Sequence, residues 1–245
     1  MKDSSNDLSR LDQQIHSEVL KMGVDKVGIA DLTQAKKFIS WQGGPILDPY
    51  HRAVSIGIRL SDTVVDSLFY RDTIVALKTY ERHIYGVVNR KLDQIALQVV
   101  RMLHQAGWYA YPIHATQKIQ MAPHHLGVFS HKLAANLAGL GWIGRSCLLI
   151  TPEFGPRIRW ATILTDAPLT PGTPMKNKCD EDCNFCVTIC PAQAFTGRQF
   201  DPSEPREARM DVNACDMHLK KRKEQTGARI CGLCVAVCPH GRNKP

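Results

Sequence analysis

The sequence predicts an α+β protein in two parts, a layered α/β domain followed by a smaller cysteine-rich module. Apolar stripes at helical spacing alternate with short apolar runs through the first two thirds of the 245 residues. Eight of the nine cysteines lie beyond residue 178. Prolines and glycines between residues 168 and 174 interrupt the chain just before the first of these eight. We therefore place the boundary near residue 172, which gives parts of 1–172 and 173–245.

The elements of the first part follow from apolar spacing and from the residues that end each run. The first helix stops at Gly23 and the strongest helical stripe stops at Gly107, because glycine readily ends helices. Ser130 can cap a third helix. The sequence predicts helices at 8–22, 88–103 and 130–137, and strands at 27–30, 53–58, 109–113, 147–150 and 160–164.

Two runs of closely spaced cysteines indicate iron–sulfur ligation. The first run, Cys-x3-Cys-x2-Cys-x3-Cys-Pro, begins at Cys179; the second, Cys-x2-Cys-x3-Cys-Pro, begins at Cys231. Two-cluster ferredoxins use Cys-x2-Cys-x2-Cys-x3-Cys-Pro, whose fourth cysteine binds the other cluster. The first run departs from that spacing by one residue. This crossover predicts two [4Fe–4S] clusters, one on Cys179, Cys183, Cys186 and Cys238 and the other on Cys190, Cys215, Cys231 and Cys234.

Zinc is the alternative metal, since Cys-x2-Cys pairs also build structural tetrahedral sites. A zinc module usually has two separated pairs, whereas each triple run here ends in Cys-Pro, so the sequence favours iron and sulfide. Cys147 stands apart in an apolar run and is expected to be a small buried hydrophobe rather than a nucleophile. With no run of about 18 apolar residues, we expect a soluble, cytoplasmic protein without membrane association.

The formal charge of +8 suggests an anionic partner. Each four-thiolate cluster, however, adds a net charge of about −2, so two clusters leave the holoprotein only mildly basic. The densest basic run, from Lys220 to Lys223, is therefore interpreted as a solvated helix face in preference to a nucleic-acid patch.

A glycine-rich loop follows the third helix. Gly139-x-Gly141-x-x-Gly144 matches the dinucleotide fingerprint, with Asp166 downstream, but that fingerprint needs a strand before the loop and a helix after it. The order here is reversed. We interpret the glycines as permitting close backbone approach to a large flat ligand or to a neighbouring strand.

Three histidines, His124, His125 and His131, lie next to Pro123 and just before the glycine loop. A polar loop is the simpler interpretation. The alternative is that one of them lines a pocket and donates a proton, because histidine titrates close to neutral pH.

The whole pattern resembles the epoxyqueuosine reductase and reductive dehalogenase group of corrinoid iron–sulfur enzymes. The resemblance runs over residues 24–239 and is most specific at 50–58, 138–145 and 163–169 and in the two cysteine runs. It implies a nitroreductase-like α/β domain that holds cobalamin base-off, followed by a ferredoxin-like module whose two clusters reduce the cobalt.

The resemblance also implies site residues. It places the corrinoid pocket at Gly139, Gly141, Trp142 and Gly144, with the proton donor close by. The epoxyqueuosine reductases carry an acidic residue about fourteen positions before the glycine loop, where this sequence has His125. We take His125 as the candidate proton donor.

The function implied is a corrinoid-dependent reductase that receives electrons from a donor such as ferredoxin or flavodoxin. Its acceptor would be a small molecule or a corrinoid protein. The alternative is a non-catalytic electron-transfer protein or a reductive activator of a partner corrinoid protein, which the missing acid favours. tRNA is a less favoured substrate, because the sequence lacks the helical-repeat domain of the epoxyqueuosine reductases. The lack of a twin-arginine leader makes an exported dehalogenase less expected.

Overall fold

The computed structural model describes residues 5–70, 73–116 and 125–242, which form a mixed α+β fold as predicted. The helices are α1 (Ser5–Lys21), α2 (Lys36–Gly43), α3 (Asp62–Asp66), α4 (Ile74–Glu81), α5 (Asn89–Gln105), α6 (His131–Leu137), α7 (Phe185–Thr188), α8 (Val212–Thr226) and α9 (Leu233–Ala236). The strands are β1 (Lys26–Asp31), β2 (Arg52–Arg59), β3 (Ala110–Ile113), β4 (Trp142–Ile143), β5 (Leu149–Ile150) and β6 (Ile158–Thr165).

Four of the strands form one antiparallel sheet in the order β1-β2-β6-β3, and β4 pairs with β5 in a small second sheet. The two central strands are almost continuously buried, which explains their unbroken apolar sequence. Val54 of β2 lies opposite Ile29 on one side and Ile163 on the other. The predicted strand positions are therefore confirmed, except at 147–150.

Helices cover both faces of the sheet. Alternate residues of each strand point to opposite faces, so each strand contributes to two cores. Val54 and Ile163 belong to the core shared with α1 and α5, whereas Ala53 and Leu164 belong to the core shared with α2 and α6. The helical stripe predicted at 88–103 is the buried face of α5. Ser130 caps α6 as predicted, since its hydroxyl accepts the amide N–H of Leu133.

The cysteine-rich module packs into the larger of these cores. Leu233 and Ala236 of α9, together with Ala228 and Ile230, are buried in the same apolar cluster as Tyr80 of α4. The two parts thus share one core among the described residues. The boundary at residue 172 stays a prediction.

Arg157 anchors the module to the α/β domain. Its side chain is 1% exposed and donates to Asp62 Oδ1 at 3.1 Å and to Asp66 Oδ1 at 2.6 Å, both on α3. The same guanidinium donates to the carbonyl oxygen of Ala236 at 3.1 Å, at the end of α9. A buried cation with two carboxylate partners thereby joins α3 to the last cysteine-bearing helix.

Cys147 lies in a turn, where the sequence predicts a strand. Its amide N–H donates to the carbonyl oxygen of Gly144 at 2.9 Å, and its φ of +55° is left-handed, so the extended conformation begins only at Leu149. The side chain is 4% exposed, which confirms the expected burial.

Candidate metal centres and the adjoining cavity

The first group of thiols lies around a small cavity beside the glycine loop. Cys179, Cys183, Cys186 and Cys238 line it together with Gly144. Burial, with a smaller contribution from the neighbouring thiols of this group, raises the pKa of Cys186 to about 11 and that of Cys238 to about 12. Cys238 thus comes next to the first run although it belongs to the second, as the crossover rule requires.

The second group is held more deeply. Burial, and then the neighbouring Cys190 and Cys231, raise the pKa of Cys215 to about 11. The pKa of Cys234 is raised well above its usual range, first by burial and then by Cys231, Cys215 and Cys190. These four thiols are the predicted second set. Their role as ligands stays a prediction.

The raised pKa values mean that burial favours the protonated thiols over the thiolates. A metal centre binds thiolate, so loading either group must release protons, and the bound cations must offset the cost of buried negative charge. Backbone amides also lower that cost. The N–H of Ala194 lies 3.4 Å from Cys190 Sγ, and the amide of His240 donates to Cys238.

A single metal ion and a four-iron cube need different arrangements of sulfur. In a tetrahedral zinc site with Zn–S bonds of about 2.3 Å, the sulfurs lie about 3.8 Å apart. Within the described residues, no three His, Cys, Asp or Glu side chains converge closely enough to hold a single metal ion. A four-iron cube gives each thiolate its own iron, so it accepts a wider set of sulfurs.

Local backbone geometry presents the second group. Cys231 and Cys234 flank Gly232, whose φ is +74°, and α9 begins immediately after it. A Cβ at Gly232 would lie 2.9 Å from the hydroxyl oxygen of Tyr80, so only glycine fits this close approach. The left-handed turn at Gly232, between Cys231 and Cys234, is thus packed directly against Tyr80 of the α/β domain.

The glycine loop contacts neighbouring backbone and the first thiol group. A Cβ at Gly141 would lie 2.2 Å from the carbonyl oxygen of Ile150 on β5, which confirms the close approach to a strand. A Cβ at Gly139 would lie 2.4 Å from the carbonyl oxygen of Thr173, and one at Gly144 would lie 3.3 Å from Cys179 Sγ.

The other members of this loop also face the cysteine module. Trp142 is 2% exposed and lies edge-on to His240, with ring centroids 5.0 Å apart. Arg145 donates to the carbonyl oxygens of Gly197 and Glu181, each at 2.6 Å. The corrinoid assignment of Gly139, Gly141, Trp142 and Gly144 stays a prediction, and none of the four lines the larger cavity described next.

A cavity of about 410 Å³ lies between the α/β domain and the cysteine-rich module. The module contributes two of its lining residues: Leu219, four positions after Cys215, and Arg229, two positions before Cys231. The α/β domain contributes the remaining wall: Tyr85, Ile113, Ala115, Thr116, Gly127, Phe129, His131 and Arg159. Its volume lies within the range of small-molecule sites.

Sequence reasoning missed Tyr85, Arg159 and Arg229. Tyr85 belongs to the π-helical segment Arg82–Val88, a rare form often found at functional sites, and its side chain is 46% exposed. The guanidinium of Arg159 lies 5.4 Å from the centre of the Tyr85 ring. One signal was available: Arg159 is a charged residue inside an otherwise apolar strand.

His131 is a cavity residue with a fixed tautomer. Its Nε2–H donates to the carbonyl oxygen of His114 at 2.9 Å, so Nδ1 accepts from the Thr162 hydroxyl at 2.8 Å. Burial lowers the pKa of His131 to about 4. His125 lies outside the cavity wall, with Nε2 at 3.2 Å from Asn213 Oδ1 on α8. His124 and Pro123 lie outside the described residues.

The pKa of His131 predicts a pH dependence of stability. Below about pH 6.5 a histidine in the unfolded chain is mostly protonated, whereas His131 in the folded protein stays neutral down to about pH 4. The free energy of unfolding should therefore fall by about 1 kcal/mol between pH 7.5 and pH 5.5 from this residue. Denaturant unfolding of wild type and His131→Gln at both pH values measures it, and an identical pH dependence in the two proteins would contradict the assignment.

No described helix is both long and apolar enough to span a membrane.

Comparison with known proteins gives relatives of two kinds. No family model matches the chain. An epoxyqueuosine reductase from Listeria monocytogenes is 31% identical over 126 residues, which cover 47% of this chain and 31% of that protein. A tetrachloroethene reductive dehalogenase from Desulfitobacterium hafniense is 32% identical over 158 residues, covering 60% and 26% respectively. The chain thus spans about a third or less of the curated relatives it matches.

Solved structures show the same two kinds of protein. A catabolic reductive dehalogenase in complex with 3-bromo-4-hydroxybenzoic acid aligns with a TM-score of 0.68 and 22% identity, over 94% of this chain and 31% of the other. An epoxyqueuosine reductase with an epoxyqueuosine-modified tRNA stem loop aligns with a TM-score of 0.60 and 18% identity, over 97% and 67%. A reductive dehalogenase structure described as suggesting a mechanism for B12-dependent dehalogenation aligns with a TM-score of 0.67 and 21% identity, over 94% of this chain and 31% of the other.

These relatives are reductases, and the α+β fold is the one they share with this chain. The resemblance to epoxyqueuosine reductases and reductive dehalogenases, predicted from the sequence, is confirmed by both comparisons.

Proposed function

We propose that this protein is an iron–sulfur oxidoreductase that passes single electrons from two [4Fe–4S] clusters to a cobalamin centre, where a substrate is reduced. The observation that carries the proposal is the placement of two groups of four thiols in a module that forms part of the wall of a cavity of about 410 Å³. The relatives, all named as reductases, support the same chemistry.

The positions of the two thiol groups favour a direction of electron flow. Residues close in sequence to the second group line the cavity, because Leu219 lies one helical turn beyond Cys215 and Arg229 two residues before Cys231. Cys186 of the first group also acts electrostatically on Cys234 of the second. Phe185, in the wall of the first group's cavity, is 53% exposed. An external donor such as ferredoxin or flavodoxin would therefore dock at the first group.

The donor atoms suit the proposed cofactors. When bound, the clusters would supply one-electron carriers and the corrinoid a low-potential cobalt. Both ring nitrogens of His131 are engaged in hydrogen bonds, so this imidazole is not free to bind a metal ion. At about 410 Å³ the cavity is smaller than a whole corrinoid, so its described walls would hold only part of that cofactor. Phe129 and Tyr85 supply flat aromatic surface there.

Reduction of most organic substrates also consumes protons, and the cavity has one side chain suited to deliver them. Tyr85 carries a hydroxyl proton, and Arg159 beside its ring would stabilise the phenolate left after transfer. His125, the donor inferred from the sequence, contacts α8 instead and remains a second candidate.

The proposal is tested by titrating anaerobically purified protein with hydroxocobalamin. We expect binding at micromolar concentrations and a shift of the cobalamin absorption spectrum toward the base-off form. Lack of binding would instead favour the non-catalytic electron-transfer protein or activator. A cavity between the α/β domain and the cysteine-rich module argues for the enzyme, because electron transfer alone does not require one.

Measurements of turnover test which side chain donates the proton and which class of substrate is reduced. 3-Bromo-4-hydroxybenzoic acid and an epoxyqueuosine-modified tRNA stem loop, named in two structural neighbours, are the probes. RNA is the second candidate, favoured by the basic run from Lys220 to Lys223 on α8. Tyr85→Phe should lower the rate about 10²–10⁴-fold and retain cobalamin binding. Tyr109→Phe, at an exposed tyrosine outside the cavity, is the control, and His125→Ala tests the other donor.

A further inference from the structure

Arg159 is a cavity cation without a carboxylate partner among the described residues. Its Nε donates to Asn89 Oδ1 at 3.1 Å, and its Nη2 donates to the Ala115 carbonyl at 3.3 Å and the Thr116 hydroxyl at 3.2 Å. All three acceptors are neutral. Two residues earlier on the chain, Arg157 is neutralised by two carboxylates. The positive charge of Arg159 is thus held in place by polar contacts but left uncompensated at the cavity.

The opposite wall adds to this positive charge. Arg229 forms an ion pair with Asp216, but Asp216 also pairs with Lys220 at 3.1 Å. One carboxylate therefore serves two cations on this side, while His131 is held neutral on the other. The described lining of the cavity thus contains two arginines and no carboxylate, in a partly desolvated place where an anion would gain charge-assisted hydrogen bonds.

The remaining wall sets the kind of anion. Ile113, Phe129 and Leu219 are apolar, and Tyr85 adds a ring. About 410 Å³ admits a small organic molecule and excludes a folded macromolecule. We infer that this cavity binds the oxyanion of a small organic ligand, with the carboxylate or phosphate held between Arg159 and Arg229 and the apolar part against Phe129. The inference rests on the proposed function only in taking this cavity as the reductase site.

Benzoate and benzamide form a matched pair of probes, since they differ in charge and not in shape. Calorimetric titration of the anaerobically purified protein should show benzoate binding at least about tenfold more tightly than benzamide. In Arg159→Gln the preference should vanish while benzamide binding is retained, which shows that the cavity is still folded. Arg159→Lys should keep part of the preference, and Arg101→Gln, an exposed arginine on α5, should keep all of it.

Two sources of the oxyanion are separated by comparing cobalamin with cobinamide, which lacks the phosphodiester tail. If Arg159→Gln weakens cobalamin binding and spares cobinamide, the oxyanion is the corrinoid phosphate; if it spares both, the oxyanion belongs to the substrate. Equal affinity of wild type for benzoate and benzamide, or an undiminished preference in Arg159→Gln, would overturn the inference. Failure of the proposed function is a different result, namely no corrinoid binding by wild type.

Discussion

Replacing Cys234 by alanine is expected to lower the iron and acid-labile sulfide content from about eight to about four atoms of each per chain. Cys234 is the most strongly perturbed thiol of the second group, and its loss leaves one iron of that cluster without a protein ligand in a buried position. The first group should keep its cluster, because it draws its fourth thiol from Cys238. Iron and sulfide analysis of anaerobically purified protein measures the change.

The ninth cysteine supplies the matched control. Cys147 is buried, but it lies in the turn after the glycine loop and in neither thiol group. Cys147→Ala should therefore retain about eight iron atoms. If Cys147→Ala lost iron as Cys234→Ala does, or if Cys234→Ala kept its full content, the division into eight ligands and one structural cysteine would be wrong.

Replacing both Asp62 and Asp66 by asparagine should destabilise the protein by about 3–5 kcal/mol, because it leaves Arg157 as a buried cation without a counter-charge. The apparent midpoint of anaerobic thermal unfolding should fall by roughly 6–20 °C for a chain of this size. The module should loosen first, since Arg157 also holds the carbonyl of Ala236.

Two further variants make this prediction specific. Adding Arg157→Met to the double variant removes the unpaired charge and should recover part of the lost stability. Glu18→Gln removes an exposed partner of Lys21 on α1 and should change stability by less than about 1 kcal/mol. If the two aspartates proved as dispensable as Glu18, the anchoring role of Arg157 would be refuted.

The sequence was informative where function depends on local spacing. The crossover rule predicted two ligand sets, and Cys238 lies beside Cys179, Cys183 and Cys186 as that rule requires, while the ligand roles of the eight cysteines stay a prediction. The helix cap at Ser130 and the order of helix, glycine loop and strand were also predicted from local sequence.

The cavity could not be predicted in this way. Arg159 and Tyr85 are 74 positions apart and meet only because the sheet order brings β6 beside the π-helical segment before α5. Arg157 and Arg159 also look alike in sequence, yet one is neutralised by α3 and the other lines the cavity. Which partner each arginine meets is a property of tertiary structure.

The central claim is that two groups of four thiols each hold an iron–sulfur cube. Metal and sulfide analysis of wild-type protein isolated without air tests it most directly. We expect about eight iron and eight sulfide per chain and no stoichiometric zinc. Natively folded protein that contains zinc and no acid-labile sulfide would contradict the claim, and with it the proposed electron path.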